Sequence, residues 1–263
     1  MTDRRPGGNP LWAVYETIAM VIGLGTLALI CLGWLPFALL LRPLLPRRRA
    51  QAIGRGFIAN GFRCYLRILE ICCACRFDLR ELDRLRDDGP LIVAANHPSL
   101  LDAVMIVSRL PNAVCVMKAS LMDNLLFGAA ARLARYIRND APLAMILNAR
   151  QALQDGARLV IFPEGTRTGN FPLDPCSPST GLIANRARVP VQTVLIEFTT
   201  PYLGKAWPLF RRPQLPLTCR IRLGHRFPPP GRSGRRSGSW SMAAPTARPN
   251  SCRPWRRVTT TCG

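Results

Sequence analysis

The longest apolar stretch of the chain is residues 17–41, TIAMVIGLGTLALICLGWLPFALLL, which carries no charged side chain. A helix needs about 20 such residues to cross a hydrocarbon core, and soluble helices seldom run this far without a polar face. Pro36, late in the run, predicts either a kinked span or a shallow hairpin entering one leaflet. Residues 53–75 follow a different pattern, with Arg55, Arg63, Arg67 and Glu70 interrupting apolar positions. They predict an amphipathic helix on a membrane or on the domain, its arginines favouring anionic headgroups. Beyond residue 90, short apolar runs at 91–95, 113–117, 158–162 and 191–197 read as buried strands. Between them, residues 99–109, 121–133, 142–154 and 181–188 carry helical patterns. Strand and helix in alternation predict an α/β fold, and ligands of such sheets bind where the loops at the strand ends converge.

After residue 228 the hydrophobic period stops, and Pro, Gly, Ser and Arg dominate. That composition buries too little surface to offset ordering entropy, and predicts a disordered basic tail. The formal charge of +21 is concentrated late: no Asp or Glu occurs from Phe198 onward. Basicity alone fits nucleic acid or anionic lipid, but no helix-turn-helix, zinc module or aromatic-bearing sheet pattern accompanies it, so no nucleic-acid partner is expected. Of the ten cysteines, Cys72, Cys73 and Cys75 lie close together, with no second Cys/His cluster at zinc spacing. They read as buried or lipid-facing thiols, and no metal is expected. The apolar run is too long for a signal-peptide core. Arg4 and Arg5 on one flank against Arg42, Arg47, Arg48 and Arg49 on the other place the bulk of the chain on the cytoplasmic side of the membrane.

Two segments carry candidate chemistry, each trailing a predicted strand. In Asn96-His97-Pro98-Ser99-Leu100-Leu101-Asp102, Pro98 keeps His97 extended at the strand end. Ser99 can cap the next helix, and Asp102 in its first turn leans back toward His97. A carboxylate-oriented imidazole is the arrangement of a general base; Ser99-x-x-Asp102 is equally a capping box with no chemical duty. In Phe162-Pro163-Glu164-Gly165-Thr166-Arg167-Thr168, Gly165 allows a tight turn and close approach to a ligand. Arg167 offers a planar fork for phosphate, and Glu164 is assigned to orienting Arg167 or to a substrate hydroxyl. His225, the other histidine, is read as structural.

Together, NHPSLLD and FPEGTRT resemble signature blocks of the glycerolipid acyltransferase superfamily (1-acylglycerol-3-phosphate O-acyltransferase-like, lysophospholipid acyltransferases). Lys118 matches a lysine the family carries ahead of a helix. ARYIR matches its Gly-x-x-x-Arg block, with Ala134 at the Gly position and Arg138 at the basic one, and Val189-Pro190-Val191 matches a fourth block. The resemblance covers about residues 90–227. It implies transfer of a fatty acyl group from acyl-coenzyme A or acyl carrier protein to the free hydroxyl of lysophosphatidic acid or a related lysophospholipid, in phospholipid biosynthesis. His97 and Asp102 are then the catalytic pair, and Asn96, Ser99, Lys118, Arg138, Glu164, Gly165, Thr166 and Arg167 surround the substrate. No cofactor beyond the thioester co-substrate is implied; membrane lipids are the expected partners. Acylation of a specialised lipid (an ornithine lipid or polyene-linked lipid) and non-catalytic lipid binding remain alternatives. The expected organisation is a membrane anchor at 1–50, an amphipathic membrane-proximal helix at 51–80, a single acyltransferase domain at 81–227 with a mixed or mostly parallel sheet flanked by helices, and the tail at 228–263.

Overall fold

In the computed structural model, which describes residues 10–229, the sheet has seven strands. They are β1 (Cys75–Asp78), β2 (Ile92–Ala95), β3 (Ala113–Met117), β4 (Ile137–Arg138), β5 (Arg158–Ile161), β6 (Val191–Phe198) and β7 (Leu217–Phe227). Their order across the sheet is β1-β7-β6-β2-β5-β3-β4. Five neighbours, β6, β2, β5, β3 and β4, run parallel, while β7 is antiparallel to β6 and carries β1 parallel to itself. The sheet is therefore mixed and mostly parallel, as the alternation of elements predicts. Residues 1–9 and most of the expected tail, from 230 onward, lie outside the described residues.

Both faces of the central strands are buried, which is why they read as continuous apolar runs. Leu91, Val93 and Ala95 face one core with Leu101, Met105 and Ile106 of helix α4 (Leu101–Arg109). Ile92 and Ala94 face the other, with Leu153 of α7 (Pro142–Gln154) and Ile183 of α8 (Ser179–Ala187). Two further helices, α5 (Ala119–Asp123) and α6 (Leu125–Ala134), replace the one expected at 121–133. Asn124 takes an extended backbone there and its side-chain oxygen accepts the amides of Leu126 and Phe127, a cap that starts a new helix. The sheet also begins earlier than the expected domain boundary at residue 81: β1 lies at 75–78, within the stretch assigned to the amphipathic helix.

The apolar run forms one continuous 35-residue helix, α1 (Pro10–Leu44), through Pro36. Pro46 then starts α2 (Arg47–Cys72), and α3 (Arg80–Asp83) is a single turn. Contacts between α1 and α2 pair Tyr15 with Cys72, Gly23 with Leu69, Ile30 with Gly61 and Trp34 with Phe57. Rising numbers on one arm meet falling numbers on the other, so the two helices form an antiparallel hairpin. Trp34 and Phe57 stack at 3.4 Å between ring centroids. The second arm turns Arg55 and Arg63 inward rather than toward headgroups. Arg55 is buried and donates to the Ala134 carbonyl and Asn112 Oδ1, and Arg63 Nε donates to the Ser108 carbonyl. A buried guanidinium is tolerated only with such acceptors; Arg55 is the one buried arginine of this arm, while Arg47, Arg48, Arg49, Arg63 and Arg67 keep exposed side chains. Along α1, meanwhile, Leu11, Val14, Ile18, Val21, Leu29 and Leu32 stay exposed. By length and composition α1 can cross a membrane.

Candidate active site

Because β2, β5, β3 and β4 are parallel neighbours, the residues that follow them emerge along one edge of the sheet. His97 follows β2, the Phe162–Thr168 turn follows β5, Lys118 follows β3 and Arg138 ends β4. The fold thus gathers segments far apart in sequence on the side where α/β sheets bind ligands.

His97 is fixed at both its backbone and its ring. Its amide donates to Glu164 Oε1 at 3.1 Å and Thr168 Oγ1 at 2.9 Å, and its carbonyl accepts the Thr168 amide at 2.7 Å. The ring stacks on Phe162 with centroids 4.0 Å apart. Nδ1 lies 2.9 Å from Asp102 Oδ2. That contact leaves Nε2 without a hydrogen-bond partner among the described residues, on a side chain that is 17% exposed. Helix α4 starts one residue later than expected, with Leu100 in the cap position. Ser99 nevertheless acts in the capping: its Oγ accepts the Leu101 amide, and its own amide donates to Asp102 Oδ2 at 2.8 Å. The capping box and the histidine–carboxylate pair are therefore one structure, with a single oxygen serving both.

Asp102 is completely buried, and its second oxygen, Oδ1, has no partner. Burial pushes its carboxyl up to about 6, against the lowering pull of the His97 hydrogen bond and the Ser99 amide. A carboxylate held here pairs with a charged imidazole more readily than it stands alone, which is what a proton-accepting histidine requires.

The turn after β5 acts as a bracket. Gly165 has φ +68° and is exposed, a backbone that favours glycine. Glu164 does not pair with Arg167, the first of the two roles expected of it. Its Oε1 accepts the His97 amide and the Thr168 hydroxyl, and its Oε2 accepts the Asp174 amide. Arg167 Nη1 instead donates to the carbonyls of Leu203, at 3.0 Å, and Gly204, at 2.6 Å. The Leu203 carbonyl also accepts the Leu100 amide, so Arg167 stands beside the His97 segment. Thr166 is exposed next to it.

The remaining expected residues divide. Asn96 is buried and faces inward: its amide donates to the carbonyls of Pro172 and Ile196 and its oxygen accepts the Ile196 amide at 2.7 Å. Ser99 is likewise wholly buried. Both hold the frame and present no side-chain group to a ligand. Lys118 is exposed at the start of α5. Arg138 is held by two carboxylates, with Nη1 at 2.5 Å from Asp123 and Nη2 at 2.8 Å from Asp140. These partners raise the guanidinium's proton affinity and lower theirs. His225 lies on β7, its ring edge-on to Phe227. Cys73 and Cys75 are buried, and burial pushes Cys75 up to about 12, which suits packing rather than reactivity.

Sequence reasoning missed three participants. Phe162 was read as a strand end and is the face on which the imidazole rests. Thr168 ties the two motifs together; its hydroxyl, three residues after a turn glycine, was the available signal. Residues 199–216, which close on Pro98, Leu100 and Arg167, carried no pattern pointing to the site.

Comparison with known proteins agrees with this geometry. Residues 76–197 match the family model described as Acyltransferase. The human 1-acyl-sn-glycerol-3-phosphate acyltransferase beta is 28% identical over 141 residues, half of either chain. The Pseudomonas aeruginosa 1-acyl-sn-glycerol-3-phosphate acyltransferase is 25% identical over 197 residues, 73% of each chain. The chain spans about half the length of the first curated relatives it matches. In fold it is similar to the crystal structure of the 1-acyl-sn-glycerophosphate (LPA) acyltransferase PlsC from Thermotoga maritima. That likeness has a TM-score of 0.65 at 19% identity, over 84% of this chain and 89% of that one. Signature blocks and family match agree that residues 76–197 carry the Acyltransferase family's pattern, on a fold similar to that of the solved acyltransferase.

Proposed function

We propose that the chain transfers a fatty acyl group from a thioester, acyl-coenzyme A or acyl carrier protein, to the free hydroxyl of lysophosphatidic acid or a closely related lysophospholipid. The observation that carries this reading is the 2.9 Å contact of His97 Nδ1 with buried Asp102, which leaves Nε2 without a hydrogen-bond partner among the described residues. Nε2 takes the hydroxyl proton, and the oxygen attacks the thioester carbonyl. The tetrahedral intermediate collapses with cleavage of the carbon–sulfur bond, and the imidazolium returns the proton to the leaving sulfur. The products are an ester and a free thiol, with no acyl-enzyme. Asp102 holds the ring in the tautomer with the proton on Nδ1 and stabilises its charged form.

Adjacent strands lie about 4.8 Å apart, so three spacings, roughly 14 Å, separate the β2 and β4 ends. A lysophosphatidate hydroxyl and phosphate are only a glycerol skeleton apart. Arg167 is therefore the cation placed to hold the acceptor phosphate, while Lys118 and Arg138 extend the positive edge. The exposed stripe of α1 supports attachment to the membrane in which such substrates reside; the cytoplasmic placement of the domain rests on the flanking arginines alone. Because α1 is paired with α2 along its length, its side rather than its end is offered to lipid, as in a helix lying in one leaflet.

Purified protein in neutral detergent, given labelled acyl-coenzyme A or acyl carrier protein and a panel of lysolipid acceptors, tests the reading. Transfer to lysophosphatidate that His97→Ala abolishes is expected. Transfer only to an amine-bearing or other specialised lipid overturns the acceptor assignment, and transfer to none overturns the enzymatic reading.

A further inference from the structure

The β6–β7 connection, residues 199–216, is anchored at both ends and open at its tip. At one end the Leu203 and Gly204 carbonyls take Arg167, and the Leu203 carbonyl also takes the Leu100 amide. A Cβ on Gly204 would lie 3.3 Å from the Pro98 carbonyl, so this end is packed against the His97 segment. At the other end the Leu215 amide donates to Glu16 of α1, and Arg212 reaches the Ala13 carbonyl at 3.5 Å. Between these anchors Trp207 packs back against the core, edge-on to Tyr202, and Pro208, Leu209, Phe210 and Arg211 stand exposed. Leu209 is 53% exposed and Phe210 76% exposed, more than either needs for any contact with the fold. Arg211 and Arg212 follow directly, Arg211 lying 4.5 Å over the Trp207 ring. Residues 199–216 contain Lys205, Arg211 and Arg212 and no acid; Lys205 faces Asp174, Arg212 reaches only the Ala13 carbonyl, and among the described residues neither arginine is ion-paired with a carboxylate.

We propose that this connection is a second bilayer-contacting element, distinct from α1. Leu209 and Phe210 enter the boundary between headgroups and acyl chains, and Arg211 and Arg212 engage the phosphates of anionic lipids. The occupant follows from chemistry and position. Two adjacent large apolar side chains backed by a basic pair and an indole are the composition of an interfacial insertion. The tip is also continuous with the exposed Leu11, Val14 and Ile18 of α1, through the Ala13 and Glu16 contacts. Since its far anchor is the Arg167 turn, the element sets the height of His97 above the lipid surface.

Amide hydrogen exchange on the full-length chain tests this without reference to catalysis. The protein is reconstituted into vesicles of equal parts phosphatidylcholine and phosphatidylglycerol, and into phosphatidylcholine alone. Peptides covering 205–212 are expected to exchange about tenfold more slowly in the anionic vesicles, with α1 equally protected in both. Arg211→Gln with Arg212→Gln should remove the difference between vesicles, and Leu209→Ser with Phe210→Ser should speed exchange in both. All four side chains are exposed, and the contacts of Arg211 with Trp207 and of Arg212 with Ala13 lie at the surface, so the variants should unfold in detergent close to the wild-type temperature. Equal exchange of 205–212 in the two vesicle types overturns the proposal, as does protection that survives both pairs of substitutions. Acyl transfer to a detergent-dispersed acceptor should be unchanged in these variants, so a failure here is distinguishable from a failure of the proposed reaction.

Discussion

Asp102→Asn should lower activity and flatten the pH dependence of stability at the same time. The carboxyl is fully buried, with Oδ1 unpartnered, and burial moves it from 3.8 to about 6. Two units at about 1.4 kcal/mol each correspond to about 3 kcal/mol of folding free energy. The sign follows from the direction of the shift. A carboxyl whose folded value is raised favours the folded state most fully below its unfolded value, near 3.8, and that contribution is lost as pH rises through about 6. The native protein therefore carries an unfavourable increment of about 3 kcal/mol at neutral pH, relative to pH well below 3.8, that asparagine lacks. At neutral pH the gain is partly offset, because the amide that replaces Oδ1 finds no acceptor, costing about 1–3 kcal/mol. Denaturant unfolding in neutral detergent across this range reads the difference directly. Repeating it in a His97→Gln background removes the imidazole's own titration from the comparison. Activity should fall by roughly 10³–10⁴, because an amide neither fixes the required tautomer nor stabilises the imidazolium. Parallel stability curves for the two proteins, or transfer within tenfold of native, would refute the reasoning.

Three further substitutions separate frame from chemistry. Asn96→Ala strands the buried Ile196 amide and two carbonyls, and should cost about 2–4 kcal/mol in denaturant unfolding while KM at low temperature changes little. Glu164→Gln can keep only one of the oxygens that receive His97, Thr168 and Asp174; kcat should drop at least about tenfold with KM nearly unchanged, since misplacing a base costs rate rather than binding. Gly54→Ala puts a methyl 2.9 Å from the Ala134 amide nitrogen, where backbone meets backbone, and should lower stability by about 1–3 kcal/mol, seen as a lower unfolding temperature without loss of acceptor selectivity.

What the sequence made legible was local. Strands at 113–117 and helix 142–154 have the boundaries their patterns predict, because both faces of the strand are buried and Pro142 opens the helix at a position where its missing N–H is not needed. The His97–Asp102 contact was likewise legible, since a helix start brings residues five apart together. What was not legible depended on pairing across the sheet. β4 is two residues long and carries no period, and β1 hides at the end of a helical pattern. Arginines on α2 read as lipid-facing because sequence cannot show that Ser108, Asn112 and Ala134 supply acceptors on the other side. The same limit hid the partners of Glu164: an acid near an arginine suggests an ion pair, yet its oxygens receive the His97 amide from 67 positions away together with the Thr168 hydroxyl and the Asp174 amide.

Those hydrogen bonds also show how the fold sustains a buried, half-unpartnered carboxylate. Asp102 gains a hydrogen bond from Ser99 and one from His97, both on one oxygen, and is left with a strained charge state. Rotation of the imidazole would relieve nothing, because no other donor reaches Oδ1; it would only lose the contact that exists. The ring is also stacked on Phe162, and its backbone is held on both sides by Thr168 and Glu164. The turn that carries Arg167, the cation proposed to hold the acceptor phosphate, is thus the clamp that keeps His97 in register with Asp102. Cation, base and orienting carboxylate cannot drift independently, so loss of the clamp should misplace them together. This is why Glu164, which touches neither Asp102 nor the arginine, is expected to control rate.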